Sequence, residues 1–379
     1  MPPRETFATV PTATGVDAPA PAPRAYHRNR KRQRPPTPLL VGLALLAVTA
    51  CRGPEHLLDP DGIQAARIAT LFWFALAISA AVYVAVLVAL AVAARNGRRR
   101  AHLDPTRAPE HPEVDHPEKE RRATRLVTVA VGATVVLLFV YLLATLRTGR
   151  ALAALATDPD PEPLTVTVIG HQWWWELRYQ DPQANRNLTT ANELHVPVGR
   201  RVEIRGESQD VIHSFWVPNF HGKRDLIPGY TQNGWFRADT AGTYFGQCAE
   251  YCGMQHAKMR LTVVAQPPDE FDRWYAAQLK EAEKPATPSA RRGQEVFLTN
   301  GCVLCHQVRG TPAGSHVGPD LTHFASRSSI AAGTLPNTRG HLAGWIMDPQ
   351  RIKPGARMPP QSLSSEELNA VLDYLRSLR

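Results

Sequence analysis

Two stretches without a charged side chain constrain this sequence more than anything else in it: Ile68 to Ala94, and Leu126 to Leu146. A helix rises about 1.5 Å per residue and the hydrocarbon of a bilayer is about 30 Å thick, so about 20 apolar residues span it. The first run is long enough to cross with tilt. A buried core helix would satisfy the same pattern once, but two such runs argue for two spans. Trp73 near one end suits an interfacial anchor, and Tyr83 suits packing. The segment between the runs carries Arg95, Arg98, Arg99, Arg100, Arg107, Lys119, Arg121, Arg122 and Arg125. Positive charge marks the cytoplasmic side of a hairpin, so both outer flanks are expected on the opposite face.

The N-terminus points the same way. Residues 1–27 are rich in Pro, Ala and Thr, without periodicity. Arg28, Arg30, Lys31, Arg32 and Arg34 then precede an apolar run, Leu39 to Ala50, too short to span. A basic segment before a short apolar one reads as an export signal. It ends Leu46-Ala47-Val48-Thr49-Ala50-Cys51, which resembles a bacterial lipoprotein signal and implies cleavage before Cys51 and acylation of its thiol. The formal charge of +9 sits largely in such clusters beside apolar runs, so it reads as membrane orientation rather than nucleic-acid binding. Prolines gather at 1–38, 105–117, 159–163 and 267–288 and suggest boundaries.

From Leu164 the pattern alternates, with Leu164, Val166 and Val168 set against Thr165, Thr167 and Ile169. Further strand-like stretches are 193–198, 201–205, 214–217, 234–237, 243–246 and 260–264, separated by turn residues. Short strands at this spacing predict an antiparallel β sandwich or barrel. Its chemistry lies in Cys248-Ala-Glu250-Tyr-Cys252-Gly-Met-Gln-His256-Ala-Lys-Met259, with His213 upstream. Cys248, Cys252, His213 and His256 could close a zinc tetrahedron. Met259 shifts the balance, because a weak thioether ligand is a copper device, and two thiolates suit two bridged coppers.

These residues resemble the binuclear copper motif, CuA, of cytochrome c oxidase subunit II. The stretch Gly170-His171-Gln172-Trp173-Trp174-Trp175-Glu176 resembles that family's aromatic motif, and the hairpin before a β domain matches its layout. The resemblance implies that Cys248 and Cys252 bridge two coppers and that His213 and His256 bind one each. Met259 and the Glu250 carbonyl would be weak outer ligands, and the Glu250 side chain would turn towards a magnesium ion shared with subunit I. Trp173 would be the point of electron entry. Three adjacent tryptophans on a strand cannot share one core face, so at least one is expected at an interface or exposed. His171, His195 and His221 are expected to be structural.

Residues 266–287 read as a linker with one helix, over 270–284. A helix over 290–297 then leads into Cys302-Val-Leu-Cys305-His306, the spacing of c-type haem attachment. Each thiol adds across a haem vinyl group, and His306 reaches the iron. Two methionines follow. Met347 falls in an expected helix, 341–347, and suits a core; Met358 lies in Lys353-Pro-Gly-Ala-Arg-Met358-Pro-Pro, a loop that suits the second axial ligand. Gly318-Pro319-Asp320-Leu321 and an amphipathic helix at 364–378 complete a resemblance to class I cytochrome c, which implies that the Pro319 carbonyl holds the other His306 nitrogen. The five cysteines are thereby assigned: one to lipid, two to copper, two to haem.

The expected organisation is an extension and signal over 1–50, an outer segment over 51–67, spans at 68–94 and 126–147 around a cytoplasmic loop 95–125, a cupredoxin-like CuA domain at 160–265, a linker at 266–287 and an all-α cytochrome c domain at 288–379. The resemblance implies subunit II of a bacterial cytochrome c oxidase, in the plasma membrane with both soluble domains outside. It would pass electrons from a c-type donor through haem c and CuA to subunit I, which reduces oxygen with coupled proton pumping. Subunits I and III, lipid and a reduced donor are its expected partners, and nucleic acid is not. The alternatives are a CuA subunit of nitric oxide reductase and, in another class, a membrane-anchored copper-binding lipoprotein.

Overall fold

In the computed structural model the described residues are 55, 57–103, 117–156 and 162–379. The signal, Cys51 and the centre of the basic loop lie outside them. Two helices come first, α1 (Ile63–Leu103) and α2 (Pro117–Ala156). Both are long and apolar enough to cross a membrane, and their most apolar stretches are unburied by protein. They run beyond the uncharged stretches because Arg, Lys and Glu end an apolar run without breaking the helical hydrogen-bond ladder. So the basic residues 95–99 and 119–125 are helical rather than looped.

The start of α1 is seated on the β domain. Gln64 Nε2 donates to Trp235 O at 2.9 Å, and the Ala65 amide donates to Phe220 O at 3.2 Å. Gly62 permits this approach, since a Cβ there would lie 2.8 Å from Arg237 O.

Ten strands form the β domain: β1 (Leu164–His171), β2 (Trp174–Gln180), β3 (Leu188–Ala191), β4 (Glu193–Pro197), β5 (Val202–Ser208), β6 (His213–Phe215), β7 (Arg224–Leu226), β8 (Gln232–Phe236), β9 (Gly242–Gln247) and β10 (Arg260–Gln266). One sheet runs β3-β2-β1-β5-β8, a second β4-β10-β9, and β6 and β7 form a ribbon. The expected antiparallel sandwich is mixed instead: β1 pairs parallel with β5, and β4 with β10. Strands distant in sequence meet there, and no hairpin imposes antiparallel order. The strand expected at the tryptophans begins at Trp174 and runs to Gln180 as β2, and β3 and β7 were not expected. β2 buries Trp175, Glu176 and Leu177 in succession, and β3 and β7 are too short for a period to show.

Helix α3 (Pro268–Gln278) is no free linker. Phe271 and Tyr275 join the β-domain core, and Trp274 stacks on His195 at 4.1 Å. It stops at Gln278, short of the expected Lys284, where Arg309 donates to the terminal carbonyls of Gln278 and Leu279. A guanidinium thereby satisfies acceptors that the helix leaves orphaned.

The C-terminal domain contains α4 (Pro288–Thr299), a two-stranded ribbon of β11 (Ser329–Ile330) and β12 (Leu335–Pro336), α5 (Arg339–Met347), the single turn α6 (Pro349–Ile352) and α7 (Ser365–Ser377). Helices α4 and α7 cross at Gly293, where a Cβ would sit 1.9 Å from Ala370 O; Phe297 and Tyr374 pack edge to face beside it. Met347 is half-buried on α5.

This domain is bonded to the β domain at several points. The Ser328 amide and hydroxyl donate to Glu193 Oε2 at 3.1 and 2.7 Å, and the Arg260 amide donates to Ala332 O at 3.1 Å.

Candidate functional site

The first cluster stands at one end of the β domain. Cys248 follows β9, Cys252 lies four residues on, and His213 opens β6. The ligand atoms of His213, Cys248 and Cys252 lie within 4.8 Å of one another, all three residues buried. Cys248 Sγ is 3.7 Å from Cys252 Sγ, 3.9 Å from His213 Nδ1 and 3.2 Å from Glu250 O. Cys252 Sγ is 3.7 Å from His256 Nδ1 and 3.9 Å from Met259 Sδ. Thus every residue of the expected ligand set contributes a donor atom, all six centred on two sulfurs.

Sulfur, imidazole, thioether and one carbonyl form a soft set that fits copper rather than magnesium or calcium. The sulfurs stabilise one charge between them. A hydrogen bond from Cys252 holds the Cys248 thiol well below its ordinary value despite burial, with His213 assisting. The same hydrogen bond, together with burial, pushes Cys252 up.

Asp210, which no sequence motif names, and residues of the aromatic motif fix this geometry. Asp210 Oδ1 lies 2.8 Å from His213 Nε2, which leaves Nδ1 to face the sulfurs. Burial would raise the Asp210 carboxyl, but hydrogen bonds from His213 and the amides of Val211 and Gln172 bring it down to about 2. Burial would lower the His213 imidazole, but Asp210 and the Cys248 sulfur outweigh it and raise it. Gly170 makes room for the ring, since a Cβ there would lie 2.7 Å from His213 Cδ2. Gln172 Nε2 and Trp173 Nε1 both donate to Cys252 O, at 2.8 and 3.0 Å.

The tryptophans separate as side-chain alternation requires, with one correction. Trp173 lies in the turn between β1 and β2, not on a strand. It is 9% exposed, covered by residues 353–355 of the C-terminal domain. Trp174 is half-buried and stacks on His171 at 4.2 Å, while Trp175 is buried edge to face with His213. His171 pairs with Glu176, His195 with Glu193 and Gln266, and the buried His221 with Gly222 O.

The Glu250 carboxylate lies 3.3 Å from Lys223 Nζ and is part-exposed. Magnesium needs several oxygen ligands, so one carboxylate already paired with a cation does not fit that ion by itself.

The second cluster is in the C-terminal domain. Cys302 and Cys305 are free and half-buried on the short turn after α4. His306 Nδ1 donates to Pro319 O at 2.8 Å, which leaves Nε2 as the donor of a lone pair. Burial lowers the His306 imidazole despite that bond and keeps it neutral. Gly318 packs on the ring, where a Cβ would lie 2.9 Å from Cε1. Leu304 and Val317, 72% and 64% exposed, offer apolar surface beside these groups. Two thiols, a neutral oriented imidazole and apolar walls fit a covalently held haem. Met358 is half-buried in a loop tied together by Gln350, whose amide nitrogen donates to Ala356 O at 2.8 Å and Met358 O at 3.1 Å.

That loop rests on the first cluster. Lys258 Nζ donates to Ile352 O at 2.5 Å, Lys353 Nζ to Trp173 O at 2.7 Å, and Gln255 Nε2 to Pro354 O at 2.8 Å. Arg357 lies 3.5 Å from Asp210. Burial, with Lys258 nearby, pushes the Lys353 amine down to about 7.

Both clusters fall in stretches that match known families. A family model for the periplasmic domain of cytochrome c oxidase subunit II matches residues 181–266, and one for cytochrome c matches residues 290–379. The chain is 36% identical over 341 residues to cytochrome c oxidase subunit 2 of Alkalihalophilus pseudofirmus, covering 88% of this chain and 94% of that protein. It is 31% identical over 280 residues to the subunit 2 of Bacillus sp. PS3, covering 69% and 77%. Among solved structures, the periplasmic domain of subunit II of cytochrome oxidase from Bradyrhizobium japonicum is 31% identical, covers 31% of this chain and 95% of its own, and has a TM-score of 0.29.

Proposed function

Because this chain belongs to the cytochrome c oxidase subunit II family, we propose that it feeds electrons from a reduced c-type donor, by way of its own C-terminal domain, to an oxygen-reducing subunit I. When bound, the copper pair and the haem supply one-electron carriers in series. His213, Cys248, the Glu250 carbonyl, Cys252, His256 and Met259 would hold the copper. Cys302, Cys305, His306 and Met358 would hold the haem. The two helices cross the membrane as a hairpin, with the basic segment in the cytoplasm and both soluble domains outside. Subunit III and proton pumping accompany the assembly, and Cys51 is the site of acylation.

The observation that carries this reading is the meeting of two imidazoles, a thioether and a carbonyl on two buried sulfurs. Bound groups would be held rigidly here. Asp210 orients one imidazole, Pro319 orients another, and Trp173 and Gln172 hold the carbonyl of a bridging cysteine.

The test is purification from membranes with partner subunits, followed by oxygen uptake on a reduced c-type donor. Uptake abolished by Cys252→Ser, with haem retained, is the expected result. Uptake unaffected by that change would remove the copper site from the route. Nitric oxide consumed in place of oxygen would reassign the enzyme.

A further inference from the structure

We propose that Lys353 is a positioning residue, a buried bolt that fixes the Met358 loop on the copper domain. The inference rests on the reading of the two centres given above.

The Lys353 side chain crosses from one domain into the other. The residue is 3% exposed, and its ammonium meets Trp173 O at 2.7 Å and Ala331 O at 3.2 Å. Buried cations are ordinarily paired with an anion. Among the described residues no carboxylate lies within ion-pair distance of this one, and two carbonyls serve it instead. A residue needed only to fill space there would be apolar. A lysine recovers its desolvation cost only while both carbonyls are in place, and one of them belongs to the other domain. Such a group adds geometric specificity rather than strength.

Its neighbours share the task. Ile352 and Pro354 give their carbonyls to Lys258 and Gln255, which flank His256. Three successive residues are therefore pinned, the middle one by its side chain and the outer two by their backbones. Trp173, which receives the bolt, donates to Cys252 O. On the other side, Gln350 binds Gly355, Ala356 and Met358 into one unit. The chain of contacts from Cys252 through Trp173 and Lys353 to the backbone of Met358 is short and bonded at each joint.

The test uses the assembled enzyme with Lys353→Met, which keeps the stem and removes the donors, and Lys284→Met as an exposed control. Hydrogen exchange reads the interface directly, at the Arg260 amide that donates to Ala332 O. Pulsed reduction of the haem reads the rate of electron exchange with copper. The expected result is faster exchange at Arg260 and a slowed transfer, with haem and copper spectra unchanged and Lys284→Met silent. Exchange at Arg260 and a transfer rate both indistinguishable from the parent would overturn the proposal. So would faster exchange spread through α4 and α7 with an altered haem spectrum, which would make Lys353 a residue of the domain core. If Lys353→Met does not fold, Lys353→Gln, which keeps a donor but shortens its reach to Trp173 O, must reproduce the effect. A parent enzyme with no transfer from haem to copper would sink the reading of the two centres, while exchange at Arg260 would still judge the bolt.

Discussion

Asp210 acts on the sulfur and imidazole cluster without contributing a group to it. Its carboxylate binds the far nitrogen of His213, so the imidazole presents Nδ1 to the sulfurs. Replacing it by Asn keeps the shape and removes the charge. Asp210→Asn is expected to weaken copper binding by about 10–100-fold, the usual effect of losing such a partner. A copper titration followed by the thiolate absorption checks this; unchanged affinity would mean that packing alone orients His213. The residues of the cluster were legible in the sequence, because their types recur at close spacing, and Gly170 and Gln172 stood in the aromatic motif without an assigned role. Asp210 was not, since it meets Gln172 across 38 positions.

At the scale of elements, the crossing of α4 and α7 holds the C-terminal domain together. Gly293 is the one residue there without a side chain, and the Ala370 backbone fills the space. Gly293→Ala is expected to destabilise this domain by about 1–3 kcal/mol, as overpacking does. The melting of the domain, followed at a haem band, measures it, and an unshifted midpoint would show that the helices slide apart freely. Helix α7 begins with a capping box, Ser364 and Glu367 bonding each other's amides. Ser364→Ala is expected to cost about 1 kcal/mol in the same melt. Both ends of that helix were readable from its pattern. The end of α3 was not, because Arg309 of the next domain caps it.

At the scale of the molecule, the two soluble domains are joined by buried hydrogen bonds, and these carry a pH dependence. Burial raises the Glu193 carboxyl, but hydrogen bonds from His195 and Ser328 outweigh it and lower the value below the ordinary 4.5. Ser328 belongs to the other domain and leaves on undocking, so the docked state takes up the proton less readily. Its contribution to docking is therefore whole above pH 4.5 and is lost as pH falls through the depressed value. Protection of the Arg260 amide, its exchange rate taken relative to the intrinsic rate at each pH, should fall on acidification below that point, and Glu193→Gln should flatten the profile. A profile identical in the two proteins would assign the pH dependence elsewhere.

The sequence by itself determined the order of parts: two long apolar helices, a β domain carrying the sulfur and imidazole cluster, and a helical domain carrying Cys302, Cys305 and His306. Each follows from a local pattern, such as an uncharged run, an alternation, or cysteines and histidines at fixed spacing. Only the tertiary structure decided that α3 belongs to the β-domain core, that β1 pairs parallel with β5, and that Trp173 lies beneath Lys353. Lys353 and Trp173 are 180 residues apart, and neither has a local pattern that names the other. Their contact exists because two separately folded domains present complementary donors and carbonyls, which is a property of surfaces in space.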